Sequence, residues 1–242
     1  MAKEVTLTIN GKKVSGLEGE SLLDVIRREG YEVPSLCHHP AVKPYGACRL
    51  CLVEVTKKGW TKLTTSCNYP LMEGIEIATE SENIRKNRRM VIELLMARSP
   101  NSPAIKALAK EYGIEECRFE ETEFEPDNCI LCGLCARVCK EVVGVDALGF
   151  SQRGATRYVS APYKEEPDNC IACGACVYVC PTNCVGLVQM VEKRKILRWK
   201  RDLEMQVCEV CKVPYAPKFQ LEYFKKLAKL PDDFYNKCPF CR

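Results

Sequence analysis

The sequence predicts an α+β chain of 242 residues assembled from small cysteine-bearing modules, and three observations predict it. Residues 5–9 alternate apolar and polar side chains with the period of a strand and run into Asn10-Gly11, a tight-hairpin pair, ahead of a helical stretch. Eight cysteines fall into two near-identical strings offset by 41 residues, each with the spacing C-x2-C-x2-C-x3-C. Four more form two C-x2-C pairs with 26 residues between them, in residues 191–242. Modules of this size bury too little apolar surface to be stable alone, so metal binding and folding become one process.

Composition excludes several classes. Eighteen cysteines fit a secreted disulfide scaffold poorly in a chain this long, which opens with polar Met1-Ala2-Lys3-Glu4 and shows no signal peptide. A reducing cytoplasm is the expected location. No run reaches the roughly 20 apolar residues of a membrane span, and the most apolar stretch, residues 90–97, belongs to an amphipathic helix. The 36 basic and 32 acidic residues leave a net charge of +4, too balanced to imply nucleic acid. Residues 115–127 are acidic and 193–201 basic, and both read as solvated surface.

The first module is expected over residues 1–80. Residues 12–15 return the hairpin. Ser21 and Asp24 resemble a capping box ahead of Leu22, Leu23, Val25 and Ile26, and Gly30 ends the helix. Hairpin then helix points to a β-grasp. Cys37, Cys48, Cys51 and Cys67 follow with the spacing C-x10-C-x2-C-x15-C. Four thiolates with three on one long loop suit a [2Fe-2S] cluster, although the first gap is wider than in plant-type ferredoxins. A structural zinc is the competing reading, but four-cysteine zinc sites usually use two tight knuckles. Gly46 is expected to let the backbone approach the cluster. His38 and His39 are read as hydrogen-bonding or solvent-facing, not as ligands.

Cys37-His38-His39-Pro40 and the string Gly46-Ala47-Cys48-Arg49-Leu50-Cys51-Leu52-Val53-Glu54-Val55 resemble the N-terminal segment of the large iron-sulfur subunit of respiratory complex I. They are equally similar to the diaphorase small subunit of NAD-linked nickel-iron hydrogenases and to the N-terminus of large iron-only hydrogenases. In those families the next helix leads to one His and three Cys ligands of a further [4Fe-4S] cluster. Here a helical linker is expected over residues 81–124, capped by Ser81, with Ile84, Val91, Leu94 and Leu95 on one face and Arg85, Lys86, Arg88 and Arg89 on another. Residues 97–103 carry no ligand, while residues 107–114 resume the family pattern, so the resemblance implies that this cluster is lost and its scaffold kept. Cys117 is read as a small buried hydrophobe.

The doubled string lies in a module expected over residues 125–190. Glu125-Pro126-Asp127-Asn128-Cys129 is repeated as Glu166-Pro167-Asp168-Asn169-Cys170. This spacing is that of a two-cluster [4Fe-4S] ferredoxin, in which the fourth cysteine of each run ligates the other cubane. One cluster is therefore assigned Cys129, Cys132, Cys135 and Cys180, and the other Cys170, Cys173, Cys176 and Cys139. The 30 residues between Cys139 and Cys170 leave room for a strand pair or short helix, with a turn at residues 153–157. Two zinc knuckles would not need a third cysteine at x2. Pro181 fits the usual following proline, and Lys140 replaces it in the first repeat. Cys184 is read as buried, against the alternatives of a redox-sensitive thiol or a substitute ligand.

Cys208, Cys211, Cys238 and Cys241 make a closed four-thiolate site in a module over residues 191–242, of zinc-ribbon or rubredoxin-like type. Zinc is favoured and iron is the alternative. Residues 220–230 read as a helix with Leu221, Phe224 and Leu227 inward, and Tyr215, Phe219, Tyr223, Phe224, Phe234 and Tyr235 are candidates for an aromatic core.

No G-x-G-x-x-G follows a strand and no G-x4-G-K-S/T occurs, so no nucleotide cradle is expected. These sites use sixteen of the eighteen cysteines, leaving Cys117 and Cys184, and no catalytic residue is assigned. The expected cofactors are one [2Fe-2S] cluster, two [4Fe-4S] clusters and one zinc. The resemblance, over about residues 1–190, implies an electron-relay subunit between a flavin- and NAD-binding subunit and a second redox subunit, a hydrogenase or dehydrogenase. A free-standing ferredoxin-like carrier is the alternative.

Overall fold

The computed structural model describes residues 3–121 and 128–242. Glu125-Pro126-Asp127 of the first repeat, and residues 122–127 of the acidic stretch, lie outside the described residues. The chain divides into two compact units, Met1–Cys132 and Gly133–Arg242.

In the first unit β1 (Glu4–Ile9) and β2 (Lys12–Leu17) pair antiparallel. Asn10 and Gly11 both take positive φ, 48° and 83°, as the tight turn demands. Helix α1 (Leu22–Arg28) buries Leu22, Leu23, Val25 and Ile26. Strands β3 (Leu52–Lys57) and β4 (Trp60–Thr65) form a second hairpin, and β5 (Glu76–Ala78) lies between the two hairpins, giving the order β2-β1-β5-β3-β4. β5 runs parallel to β1 and antiparallel to β3. Val5, Leu7 and Ile9 of β1 meet Val53 and Val55 of β3, Ile77 of β5 and the inner face of α1 in one core. Each such side chain, fully buried, contributes about 1.5–3 kcal/mol. Cys51 and Cys67 belong to the same core, so two candidate ligands stand on its edge.

The capping expectation at Ser21 fails. Its side chain makes no cap; the hydroxyl donates instead to the Cys67 carbonyl at 3.2 Å, and Asp24 accepts from or pairs with His38 Nε2 at 2.9 Å. Both side chains are spent on the cysteine loops.

Helix α2 (Glu82–Arg98) is capped as expected, with Ser81 Oγ accepting from the Ile84 N–H at 3.1 Å. Its buried face differs from the expected one. Ile84, Arg88, Ile92 and Leu95 turn inward, whereas Leu94 is 51 % exposed. Arg88, only 1 % exposed, donates to the carbonyls of Leu52 at 2.7 Å and Thr79 at 3.0 Å, to the Tyr112 hydroxyl and to Glu80. It thereby fastens α2 to the strand that follows Cys51. Helix α3 (Pro103–Glu111) starts with proline at its first turn, where no N–H is missed. Cys117 is half-buried rather than buried, and its thiol donates to the Glu93 carbonyl at 3.2 Å.

The second unit begins with α4 (Leu134–Val138), continued by a wider turn at Cys139–Val143. The interval between the cysteine loops holds a strand pair, β6 (Gly149–Ser151) with β7 (Tyr158–Ser160), joined through a turn at Gly154–Thr156. After α5 (Ala175–Tyr178) come β8 (Leu187–Gln189), β9 (Lys193–Ile196), β10 (Arg201–Val207) and β11 (Pro214–Pro217), forming one antiparallel sheet in the order β11-β10-β9-β8. Residues on both sides of position 190 thus share a sheet. Helix α6 (Lys218–Ala228) packs on β10 and β11 and buries Leu221. Leu227, expected inward, is 68 % exposed, and Phe219 also faces solvent, so the aromatic residues form no closed core. Among the described residues no helix is long and apolar enough to cross a membrane.

Candidate metal centres

Cys37, Cys48, Cys51 and Cys67 are all buried, on the loop before β3 and the turn Ser66–Asn68 after β4. Backbone N–H groups already point at sulfur here. Leu36 donates to Cys48 Sγ and Cys48 donates to Cys37 Sγ, each at 3.4 Å. The thiols fall into two hydrogen-bonded pairs, Cys37 with Cys48 and Cys51 with Cys67. The Cys67 hydrogen bond holds Cys51 down to about 6, whereas Cys67 and Cys48, as the protonated partners, are pushed up. Four thiols that feel one another's charge in a buried loop fit a two-iron cluster, which takes two thiolates per iron and accepts N–H donors at sulfur. Gly46, at φ 73°, allows this packing: a Cβ there would stand 3.0 Å from Asn68 Nδ2 and would be strained in any case. His38 Nε2 stands 2.9 Å from Asp24 Oδ1, and His39 Nδ1 accepts from the Ala41 N–H at 3.2 Å.

The segment from Ala97 to Pro103, expected to carry no ligand, has a different contact. Ser99 Oγ donates to the Asn128 carbonyl at 2.7 Å and Arg98 Nε to the Cys129 carbonyl at 3.1 Å.

The repeated cysteine strings fold alike. Leu131 and Gly133 take positive φ, 54° and 68°, and the equivalent Ala172 and Gly174 take 49° and 82°. A left-handed Leu or Ala costs about 1–2 kcal/mol, and in the second string the Ala172 N–H reaches the Cys170 sulfur. In each string a short helix starts after the glycine and carries the third cysteine, Cys135 on α4 and Cys176 on α5. Cys139 is near enough to the other string for its cysteines to feel one another's charge. Burial pushes its thiol up, reinforced by Cys173, and its own charge is felt at Cys170 and Cys176. The Ala147 N–H donates to Cys139 Sγ at 3.3 Å. Burial also drives Cys176 up to about 12 against the opposing pull of the Trp199 N–H, which reaches its sulfur at 3.4 Å. Arg201 Nε donates to the Cys170 carbonyl at 2.8 Å, matching Arg98 at Cys129.

Cys184, expected to be buried, is half-buried with its sulfur 3.5 Å from Cys180 Sγ. That contact is the main reason the Cys180 thiol is lowered to about 5. Nothing in the spacing announces it, since a cysteine four residues past Cys180 falls outside the eight-ligand pattern.

Cys208, Cys211, Cys238 and Cys241 bring their sulfurs within 4.8 Å of one another, at the end of β10 and after the turn Phe234–Asn236. The Cys238 N–H donates to Cys208 Sγ at 3.3 Å, and this bond leads in holding the Cys208 thiol down to about 6. Four convergent sulfurs this close fit one tetrahedral ion.

Residues 2–82 match the family described as a 2Fe-2S iron-sulfur cluster binding domain, and residues 121–181 match the 4Fe-4S dicluster domain. The chain is 32 % identical over 172 residues to the NADPH-Fe(3+) oxidoreductase subunit alpha of Geobacter sulfurreducens, covering 62 % of this chain and 20 % of that protein. It is 30 % identical over 175 residues to the mitochondrial NADH-ubiquinone oxidoreductase 78 kDa subunit of Candida albicans, of which 24 % is covered. The chain thus spans between a fifth and a quarter of the length of these relatives. Among solved structures it is similar to an NAD+-reducing [NiFe]-hydrogenase in the H2-reduced state, with a TM-score of 0.59 and 27 % identity over 65 % of this chain and 75 % of that one. The chain therefore carries a 2Fe-2S iron-sulfur cluster binding domain followed by a 4Fe-4S dicluster domain, and is a homologue of subunits of NADH- and NADPH-linked oxidoreductases.

Proposed function

We propose that this chain is a cytoplasmic iron-sulfur electron-relay subunit of an NAD(P)H-linked, flavin-containing oxidoreductase such as a hydrogenase or dehydrogenase complex. The observation that carries the reading is the doubled cysteine loop, with Cys139 near enough to the second string to exchange charge influence with Cys170, Cys173 and Cys176, together with a buried four-cysteine loop of a different type. When bound, such clusters supply one-electron carriers that need no proton or hydride transfer.

In this reading Cys37, Cys48, Cys51 and Cys67 hold a [2Fe-2S] cluster in a β-grasp domain of residues 1–80, whose sheet with α1 laid against it is the expected scaffold. Residues 81–124 are a linker in which Arg98 and Ser99 brace the Asn128–Cys129 backbone where the relatives of the resemblance would carry a His-ligated cluster. Residues 125–190 hold two [4Fe-4S] clusters, with Cys129, Cys132, Cys135 and Cys180 on one and Cys170, Cys173, Cys176 and Cys139 on the other. Cys208, Cys211, Cys238 and Cys241 in residues 191–242 hold structural zinc, because their two tight knuckles lack the third x2 cysteine and their sulfurs converge as on a single ion. A flavin- and NAD-binding subunit and a second redox subunit are the proposed partners.

Anaerobic metal analysis of the natively purified complex tests this. About ten iron atoms per chain and one zinc are expected, from one two-iron and two four-iron clusters. Iron near fourteen with a further cluster resolved by EPR, or iron at the C-terminal site by anomalous scattering, would defeat the assignment.

A further inference from the structure

The sheet β8–β11 sends side chains back to the second cysteine loop. Trp199 lies between β9 and β10, beyond the stretch matched to the dicluster domain, and is 3 % exposed. Its indole N–H has one proton to donate and no acceptor capacity, and it gives that proton to Cys176 Sγ at 3.4 Å. Arg201, two residues on, donates to the carbonyls of Cys170 at 2.8 Å and Asp168 at 2.9 Å and pairs with Glu166 at 3.0 Å. Arg194 on β9 donates to the Ala172 carbonyl at 3.3 Å. These three residues therefore hold the indole edge and the sulfur of a loop cysteine together in a largely buried place, Cys176 being 8 % exposed.

We propose that Trp199 is a potential-setting residue for the cluster held by Cys170, Cys173, Cys176 and Cys139, so that the C-terminal sheet tunes the dicluster domain. Reduction adds negative charge that is shared by the ligand sulfurs. A hydrogen-bond donor aimed at sulfur stabilises the reduced state more than the oxidised one and raises the potential. Trp199 touches a ligand and acts through it, and so is a positioning residue. Arg201 and Arg194 hold the loop backbone against it.

This inference rests on the reading of that loop as a cubane site, and the test separates the two. The full chain and its Trp199→Phe variant, with complete iron and sulfide content, are compared by EPR-monitored redox titration. The potential of one cubane should fall so that its reduction equilibrium constant drops three- to tenfold, about 30–60 mV for a one-electron couple. The other cubane and the [2Fe-2S] cluster should stay in place, and Trp199→His, which restores a ring N–H, should recover part of the shift. Unchanged potentials with all clusters present, or equal shifts in both cubanes, would overturn the role of Trp199. A wild-type chain with no second cubane signal would instead sink the cluster reading. If the Phe variant does not fold, wild-type protein carrying 15N at the indole nitrogen decides: an 15N hyperfine coupling on one cubane supports the proposal, and none on either overturns it.

Discussion

Arg88 shows what one side chain can fasten. It is fully buried and its guanidinium satisfies two backbone carbonyls, at Leu52 beside the cluster loop and at Thr79 after β5. Replacing it with methionine keeps the bulk but orphans both acceptors, each at a desolvation cost of about 1–3 kcal/mol. Arg88→Met should therefore lower the unfolding free energy by about 2–4 kcal/mol in denaturant titrations. The [2Fe-2S] absorbance should be lost in the same transition, because the strand released is the one that follows Cys51. The sequence pattern hid this residue. A 3.6-residue period is satisfied by Ile84, Val91, Leu94 and Leu95 or by Ile84, Arg88, Ile92 and Leu95, and an arginine reads as solvent-facing until its carbonyl partners, 36 and 9 residues away, are known. Ser21 is similar: a local capping pattern loses to a distant carbonyl at Cys67. The grouping of the four C-terminal cysteines, by contrast, is legible, since their two tight pairs are written in the chain and their sulfurs converge.

At the scale of elements, the N-terminal hairpin and its helix could be read because their alternation and turn residues are written in consecutive positions. β8 and β9 could not. Lys193, Arg194 and Lys195 carry no alternating apolar signal, and the stretch reads as a solvated basic run, yet it forms an inner strand paired on both sides. Its partners are β8 and β10, and Cys208 directly follows the latter. Cys238→Ser removes one of the four sulfurs of the C-terminal group and leaves the backbone N–H that donates to Cys208 Sγ. The C-terminal site should then lose zinc, and limited proteolysis should cut within residues 208–242, while the absorbance and EPR of the three iron-sulfur clusters remain largely intact. Loss of all cluster signals in that variant would show that the knuckles are needed to form the ferredoxin loops at all.

For the whole molecule, the proposed relay rests on twelve cysteines in two kinds of iron-sulfur site, and the sequence has no G-x-G-x-x-G after a strand and no G-x4-G-K-S/T. The purified chain, free of flavin, should show no NADH or NADPH oxidation, yet dithionite should bleach its visible absorbance. Addition of the flavoprotein partner should confer pyridine-nucleotide-dependent reduction. Rapid reduction of the isolated chain by NADH would contradict the relay role. The sheet that crosses residue 190 also bears on how such a protein can be cut and recombined. A splice at that position would leave β8 without its partner strand and strip Trp199, Arg201 and Arg194 from the second loop. A grafted ferredoxin segment inherits its native surroundings only if the junction is moved past Val207, so the portable unit is longer than its cysteine spacing advertises.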